Sequence, residues 1–205
     1  MSDLYDSGHR RFQAMFDTVR LAERLEQTIV RDTIDAEDAA FIESMDLFFL
    51  ATVDRRGWTN CSYKGGEPGF VRVVGPRTIA FPNYDGNGMY LSMGNIAVTN
   101  QVGILFIDFE RQSRLRLNGI ATIDPSDRLM DAFPEAQCIV RVQVREIFPN
   151  CPRYIHQMQR VARSRFVPRA GCRTPVPKWK KGDWVEDVLP DNDPAKDPSR
   201  DILDR

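Results

Sequence analysis

The chain has 205 residues and a formal net charge of -1, enough for one domain with appendages and a proper core. That balance gives no reason to expect nucleic acid or an anionic membrane as the main partner. No apolar run reaches transmembrane length, and Met1-Ser2-Asp3-Leu4-Tyr5-Asp6 lacks the charged-then-apolar order of a secretory signal. The cysteines, Cys61, Cys138, Cys151 and Cys172, are scattered with no CxxC pair, which argues against a zinc site or a disulfide framework. The expectation is a cytoplasmic protein with reduced thiols and no metal.

Residues 10 to 30 carry Phe12, Met15, Phe16, Val19, Leu21, Leu25 and Ile29 among Arg, Glu and Gln, the spacing of one amphipathic helix. A second helix is predicted from Asp35 to about Met45, with acidic residues suited to the positive end of its dipole. Both are expected to pack on the body that follows, the alternative being that the first covers a ligand site or joins a dimer interface. From Phe48 to Ile123 short strands are separated by turn residues, the pattern of an antiparallel sheet or barrel. They are Phe48–Val53, Thr59–Lys64, Phe70–Val74, Thr78–Phe81, Val102–Phe109 and Arg114–Ile123, with a helix from about Asn87 to Val98 between the fourth and fifth. In the last strand period two puts Arg114, Arg116 and Asn118 on one face and Leu115 and Leu117 on the other. A helix from Asp124 to about Phe133, a strand from Cys138 to Phe148 and a helix from Arg153 to Arg165 complete the body. Prolines then recur at Pro168, Pro175, Pro177, Pro190, Pro194 and Pro198, which favours an extended tail. Val176, Trp179, Trp184, Val185, Val188 and Leu189 suit a segment that wraps over a body or a partner, and residues 191 to 198 suit a solvated, mobile end.

This order of strands and helices, and several words within it, resemble the split-barrel flavoproteins of the pyridoxamine 5'-phosphate oxidase-like superfamily. The words are Ala51-Thr52-Val53-Asp54, Cys61-Ser62-Tyr63-Lys64-Gly65-Gly66, Gly69-Phe70-Val71-Arg72-Val73, the stretch Ala80 to Gly88, Asn95-Ile96, Val102 to Phe106, Arg114 to Gly119, and Pro149 to His156. The resemblance implies a mainly β, α+β fold: an antiparallel split β-barrel of the FMN-binding type over residues 46–165. Helices at 1–45 would flank it and an extended tail would occupy 166–205. It also implies a homodimer, FMN as cofactor, and a small-molecule substrate or electron donor, with neither nucleic acid nor membrane as partner. The basic residues that hold the substrate phosphate of true pyridoxamine 5'-phosphate oxidases near the C-terminus are not recognisable here.

A flavin mononucleotide needs an anchor for its phosphate, donors for the ring's polar edge and an apolar slot for the ring. By the resemblance, the cofactor-binding residues are Ser62, Lys64, Phe81, Pro82, Asn83, Asn87, Ser92, Asn95 and Arg114. Several relatives carry arginines where this chain has Tyr84 and Met89, which shifts phosphate anchoring onto Lys64 and Arg114. Arg116 is a further cation on the Arg114 face, and Gly65, Gly66, Gly86 and Gly88 offer backbone amides. No acid–base set or phosphate-loop motif emerges, so no catalytic residue is assigned. His156 either orders a local hydrogen bond or touches a substrate, the first being favoured, and Cys61 is read as a small buried cysteine in preference to a redox thiol. Trp179 and Trp184 either anchor the tail or cap a partner subunit's flavin. The function expected is an FMN-dependent oxidoreductase. A deazaflavin (F420)- or haem-binding relative, or a non-catalytic flavin-binding protein, is the alternative.

Overall fold

The computed structural model describes residues 4 to 204. Its centre is a seven-stranded antiparallel sheet of β1 (Leu47–Val53), β2 (Thr59–Gly65), β3 (Arg72–Gly75), β4 (Thr78–Asn83), β5 (Gln101–Asp108), β6 (Ser113–Asp124) and β7 (Cys138–Pro149). The strand order is β2-β1-β5-β6-β7-β4-β3, so the sheet curls without closing. This is the split-barrel fold with flanking helices. Alternation along the strands builds its interior: Phe48 and Leu50 on β1, Ile104 and Phe106 on β5, Leu115 and Leu117 on β6, and Val140, Val142 and Val144 on β7 are all buried. Arg114, Arg116 and Asn118 stand on the opposite face of β6, as period two requires.

Phe48 is the hub of the core. Its ring stacks on Phe70 with centroids 5.6 Å apart, meets Phe81 edge-on at 4.9 Å and lies 5.6 Å from Phe106, all within the range of favourable aromatic pairs. Backbone must come close in two places. A side chain on Gly66 would sit 2.3 Å from the Phe70 ring, and one on Gly119, at the bulge between β6 and β7, would sit 2.3 Å from the Gln143 carbonyl. Neither site has room for a Cβ.

The helices differ in part from the sequence expectation. The predicted helix over residues 10–30 is two, α1 (Ser7–Met15) and α2 (Val19–Ile29), because Asp17 takes a left-handed conformation (φ 52°) between them. Neither contributes a buried residue, and Phe12, Met15, Phe16, Leu21 and Leu25 are exposed. α3 (Ala36–Ser44) carries an Asp35/Asp38 capping box and buries Ile42 fully. Arg31 braces that box through ion pairs to Asp35 and to Asp38, the latter at 2.9 Å. α4 (Leu91–Thr99) starts four residues later than predicted, after the Gly86-Asn87-Gly88 bend.

The helix expected over 124–133 is only a 3-10 turn at Met130–Ala132. Asp124 and Asp127 accept backbone N–H bonds from Ser126 (2.7 Å) and Leu129 (2.9 Å), which competes with helical pairing. Asp127 is also locked by a two-pronged pair with Arg141, at 2.5 and 2.9 Å. Residues 153–165 are not helical either. Their polar groups go to the barrel instead: Ile155 carbonyl accepts from Gln112 (2.7 Å), Met158 N–H donates to Phe109 carbonyl (3.1 Å) and Arg160 pairs with Asp46 (2.9 Å).

The tail folds back as 3-10 turns and a short parallel pair, β8 (Val176–Pro177) with β9 (Ile202–Leu203). Its expected solvated end is solvated in part: Asp191, Asn192, Lys196 and Pro198 are exposed, whereas Asp193 and Ala195 are buried, Asp193 accepting a hydrogen bond from the buried Lys180 at 2.8 Å. No helix among the described residues is long and apolar enough to cross a membrane.

Truncating Phe48→Ala is expected to cost about 3–5 kcal/mol, read as a lower urea midpoint in circular dichroism. The hydrogen bonds from Arg141 hold the Asp127 carboxyl below the usual carboxylate range. Stability from this pair is therefore present above the ordinary carboxylate pKa and lost as pH falls through the lowered value. In Asp127→Asn that part of the acid-side slope should disappear from urea midpoints measured across the acid range.

Candidate functional site

β1 and β2 pair so that Phe48 faces Lys64, Leu50 faces Ser62 and Thr52 faces Asn60. Partners across a ladder share a side of the sheet, so Ser62 and Lys64 stand on the side that carries the core. The other wall comes from the end of β4, the bend that follows it and the start of α4. Together they enclose a cavity of about 150 Å3 lined by Ser62, Lys64, Asn83, Ser92 and the residues from Gly86 to Met89. A larger chamber of about 730 Å3 shares Lys64, Asn83, Tyr84 and Gly86 with it, and has Pro82, Phe70 and Ile107 on the barrel side. Residues 158–168 form its far wall. Only the larger space lies in the range that accommodates a whole cofactor or drug-sized ligand.

Lys64 makes no hydrogen bond or ion pair among the described residues. Burial depresses its pKa, and the only opposing influence is the nearby Cys138. A half-buried ammonium with no counter-charge is costly and seeks an anion. Beside it, Ser62 and Ser92 hydroxyls are 2.9 Å apart, and the Asn60 amide donates to Ser62 at 3.2 Å. α4 begins here from Tyr90, a residue in left-handed conformation (φ 48°) that supplies no side-chain cap. The first N–H groups of the helix are therefore uncapped, and with its dipole they favour negative charge.

Other predicted residues serve the frame. Phe81 is in the core against Phe48. Asn95 donates from its amide to the Thr52 hydroxyl at 3.0 Å, fixing α4 on β1. Arg114 lies on the opposite face of the sheet from Lys64 and donates to the Cys151 carbonyl at 2.7 Å, so within one chain it does not join the cavity. Cys61, expected to be buried, is exposed. His156 is exposed on the segment that follows β7.

Sequence reasoning missed the residues that hold the bend. Gln137 accepts from the Asn83 amide (3.0 Å) and from the Tyr90 hydroxyl (3.2 Å), clamping both ends of the bend to the start of β7. Lys180 donates to Asp85 at 2.7 Å as well as to Asp193. Burial works against the charge of Lys180, yet the hydrogen bonds to Asp193 and Asp85 raise its pKa. Tyr84 lines both cavities described and a third of about 300 Å3 under the tail. Burial, helped by Glu67, pushes its phenol up to about 12. No motif marks Gln137 or Lys180. No group of His, Cys, Asp and Glu suited to a metal occurs among the described residues.

An antiparallel split barrel of this strand order is the fold of the pyridoxamine 5'-phosphate oxidase-like class of proteins. Residues 34–151 match the sequence profile of the pyridoxamine 5'-phosphate oxidase family, and the chain is a member of that family. No curated protein matches it. Among solved structures it is similar to HupZ from Group A Streptococcus, at 22% identity over 57% of this chain and 93% of that one, TM-score 0.47. It is also similar to an FMN-binding protein from Syntrophomonas wolfei (19%, 67% and 97%, TM-score 0.42) and to the heme storage protein HutZ from Vibrio cholerae (19%, 56% and 93%, TM-score 0.42).

The depressed pKa of Lys64 has a signed consequence. Its charge penalises the folded state while it is protonated, and the penalty is relieved as pH rises through the lowered pKa. Ligand-free Lys64→Met is expected to be at least as stable as the parent at neutral pH. The gap should narrow as pH rises toward the ordinary lysine range, measured by urea unfolding of both proteins.

Proposed function

We propose that this protein binds FMN and acts as an oxidoreductase between the flavin and a small molecule. The observation that carries it is Lys64: an unpaired, half-buried cation at the junction of a small polar cavity and a chamber of ligand size. The donor set fits the cofactor. Ser62, Ser92, the bend amides and the start of α4 suit a phosphate, and the larger chamber, with Phe70, Pro82 and Ile107, suits a ring. Lys64 would then meet the cofactor's anionic groups from the junction. When bound, the flavin supplies the hydride chemistry. The chain's own residues orient it, keep one ammonium close to developing negative charge and screen the chamber from water with residues 158–168.

Haem finds less support in this geometry. Both histidines, His9 on α1 and His156, lie away from the two cavities that share Lys64. A homodimer is part of the proposal, and the exposed apolar residues of α1 and α2 are candidate contact area.

The purified protein is expected to show flavin absorbance bands, and heat should release a ligand with the mass of FMN. Lys64→Ala should weaken FMN binding about 10- to 100-fold, the loss expected for one hydrogen bond to a charged group, in a fluorescence titration. A protein that takes up no FMN, or a Lys64→Ala variant with unchanged affinity, overturns the proposal.

A further inference from the structure

The far wall of the large chamber is built unlike the rest of it. Residues 156 to 165 form no helix or strand and every one of them is exposed, although Met158, Gln159, Arg160, Ala162, Arg163 and Ser164 all line the chamber. Buried residues stand only at the ends of this stretch, Ile155 before it and Pro168 after it. It also lies beyond the span matched by the family profile. A segment that places no side chain in the core has little packing energy to keep it down, which is the mark of parts that open locally.

Polar contacts hold it instead. The first half is clipped to the turn between β5 and β6. Met158 N–H donates to the Phe109 carbonyl at 3.1 Å and the Gln157 side-chain amide donates to the Glu110 carbonyl at 3.3 Å. Arg160 adds its pair with Asp46, just before β1. The second half hangs on one carboxylate. Glu67, in the turn after β2, accepts from Arg163 through Oε2 at 2.9 Å and from Arg169 through Oε1 at 3.0 Å. These arginines flank Phe166, Val167 and Pro168, so Glu67 grips the segment on both sides of its return to the barrel. Glu67 does not itself line the chamber. Both pairs are open to water, where such contacts are individually weak and screened by salt. They can form and release readily.

We propose that residues 161 to 165 are the movable part of a lid, that Glu67 is its latch, and that release of the latch sets how fast a ligand enters and leaves the chamber. Taking FMN as that ligand rests on the flavin proposal. Glu67 is here a positioning residue that acts through Arg163 and Arg169. Its contacts are made within the chain, so they favour the closed lid equally whether or not the chamber is occupied. Such a latch slows entry and exit by the same factor and leaves affinity alone. A wall that gripped its ligand would slow exit only and raise affinity.

The test compares Glu67→Gln with the parent and with Arg77→Gln, which removes a pair to Asp32 (2.9 Å) away from the chamber. Stopped-flow flavin fluorescence gives the association and dissociation rates of FMN. Tryptic cleavage of the bond after the exposed Arg165, followed by mass spectrometry, reports opening in protein without added ligand. In Glu67→Gln, cleavage and both FMN rates should each rise about 3- to 10-fold, the loss of two exposed pairs, with Kd unchanged within about 2-fold. Arg77→Gln should match the parent. Dissociation that rises alone, with a matching loss of affinity, overturns the inference, and so do FMN rates that stay at the parent values. If the protein takes up no FMN, the flavin proposal fails separately. The lid is then judged by cleavage after Arg165: a faster rate in Glu67→Gln sustains it and an unchanged rate overturns it.

Discussion

Everything in the candidate site depends on one register: Phe48 of β1 opposite Lys64 of β2. The strands fix which side each residue faces, and Phe48 is held on the inner side by Phe70, Phe81 and Phe106. Lys64 has no choice but to follow. A slip of one residue would turn the lysine to solvent and bring Tyr63, now outward, into its place. The packing energy of the aromatic hub therefore holds a charge where hydration alone would not leave it. Stability and chemistry are coupled here through a ladder of backbone hydrogen bonds rather than through direct contact.

The cleft is built by placing unlike materials against one another. β2 brings a hydroxyl and a cation, the bend after β4 brings the residues from Gly86 to Met89, and α4 brings Ser92 and a first turn with no side-chain cap. Tyr90 in left-handed conformation is a local cost of about 1 kcal/mol or more for a side-chain-bearing residue. The Gln137 clamp, which ties Tyr90 and Asn83 to β7, offsets it. Strain of this sort is kept where the surrounding structure over-determines it.

Much of the sheet was legible in the sequence because β1, β2, β5, β6 and β7 alternate along their length and most turns are punctuated by Gly, Pro or Asp. β1, β5, β6 and β7 match their predicted spans within a residue or two. Ser62, Lys64, Asn83, Asn87 and Ser92, singled out from the family resemblance, do come together around one cavity. What escaped was decided by side-chain competition. The apolar spacing over 10–30 runs straight through Asp17 and cannot reveal a break made by one backbone conformation. Asp124 and Asp127 took backbone N–H groups that a helix needed. Arg114 carries the right charge on the right strand, yet stands on the far face of the sheet. Gln137 and Lys180 act across 54 and 95 residues of sequence, respectively, to hold the bend, and polar contacts of that span leave no periodic trace.

Lys180 ties two parts of the molecule into one equilibrium. Its buried ammonium bridges Asp85 on the bend and Asp193 in the tail, so the tail cannot lift away without uncovering a charge and leaving two carboxylates unmatched. The bend and the tail thus stiffen or loosen together. Linkage is reciprocal: a ligand that steadies the bend lends protection to a chain end far from it, and cutting the tail would be felt as slackness at the mouth of the cleft.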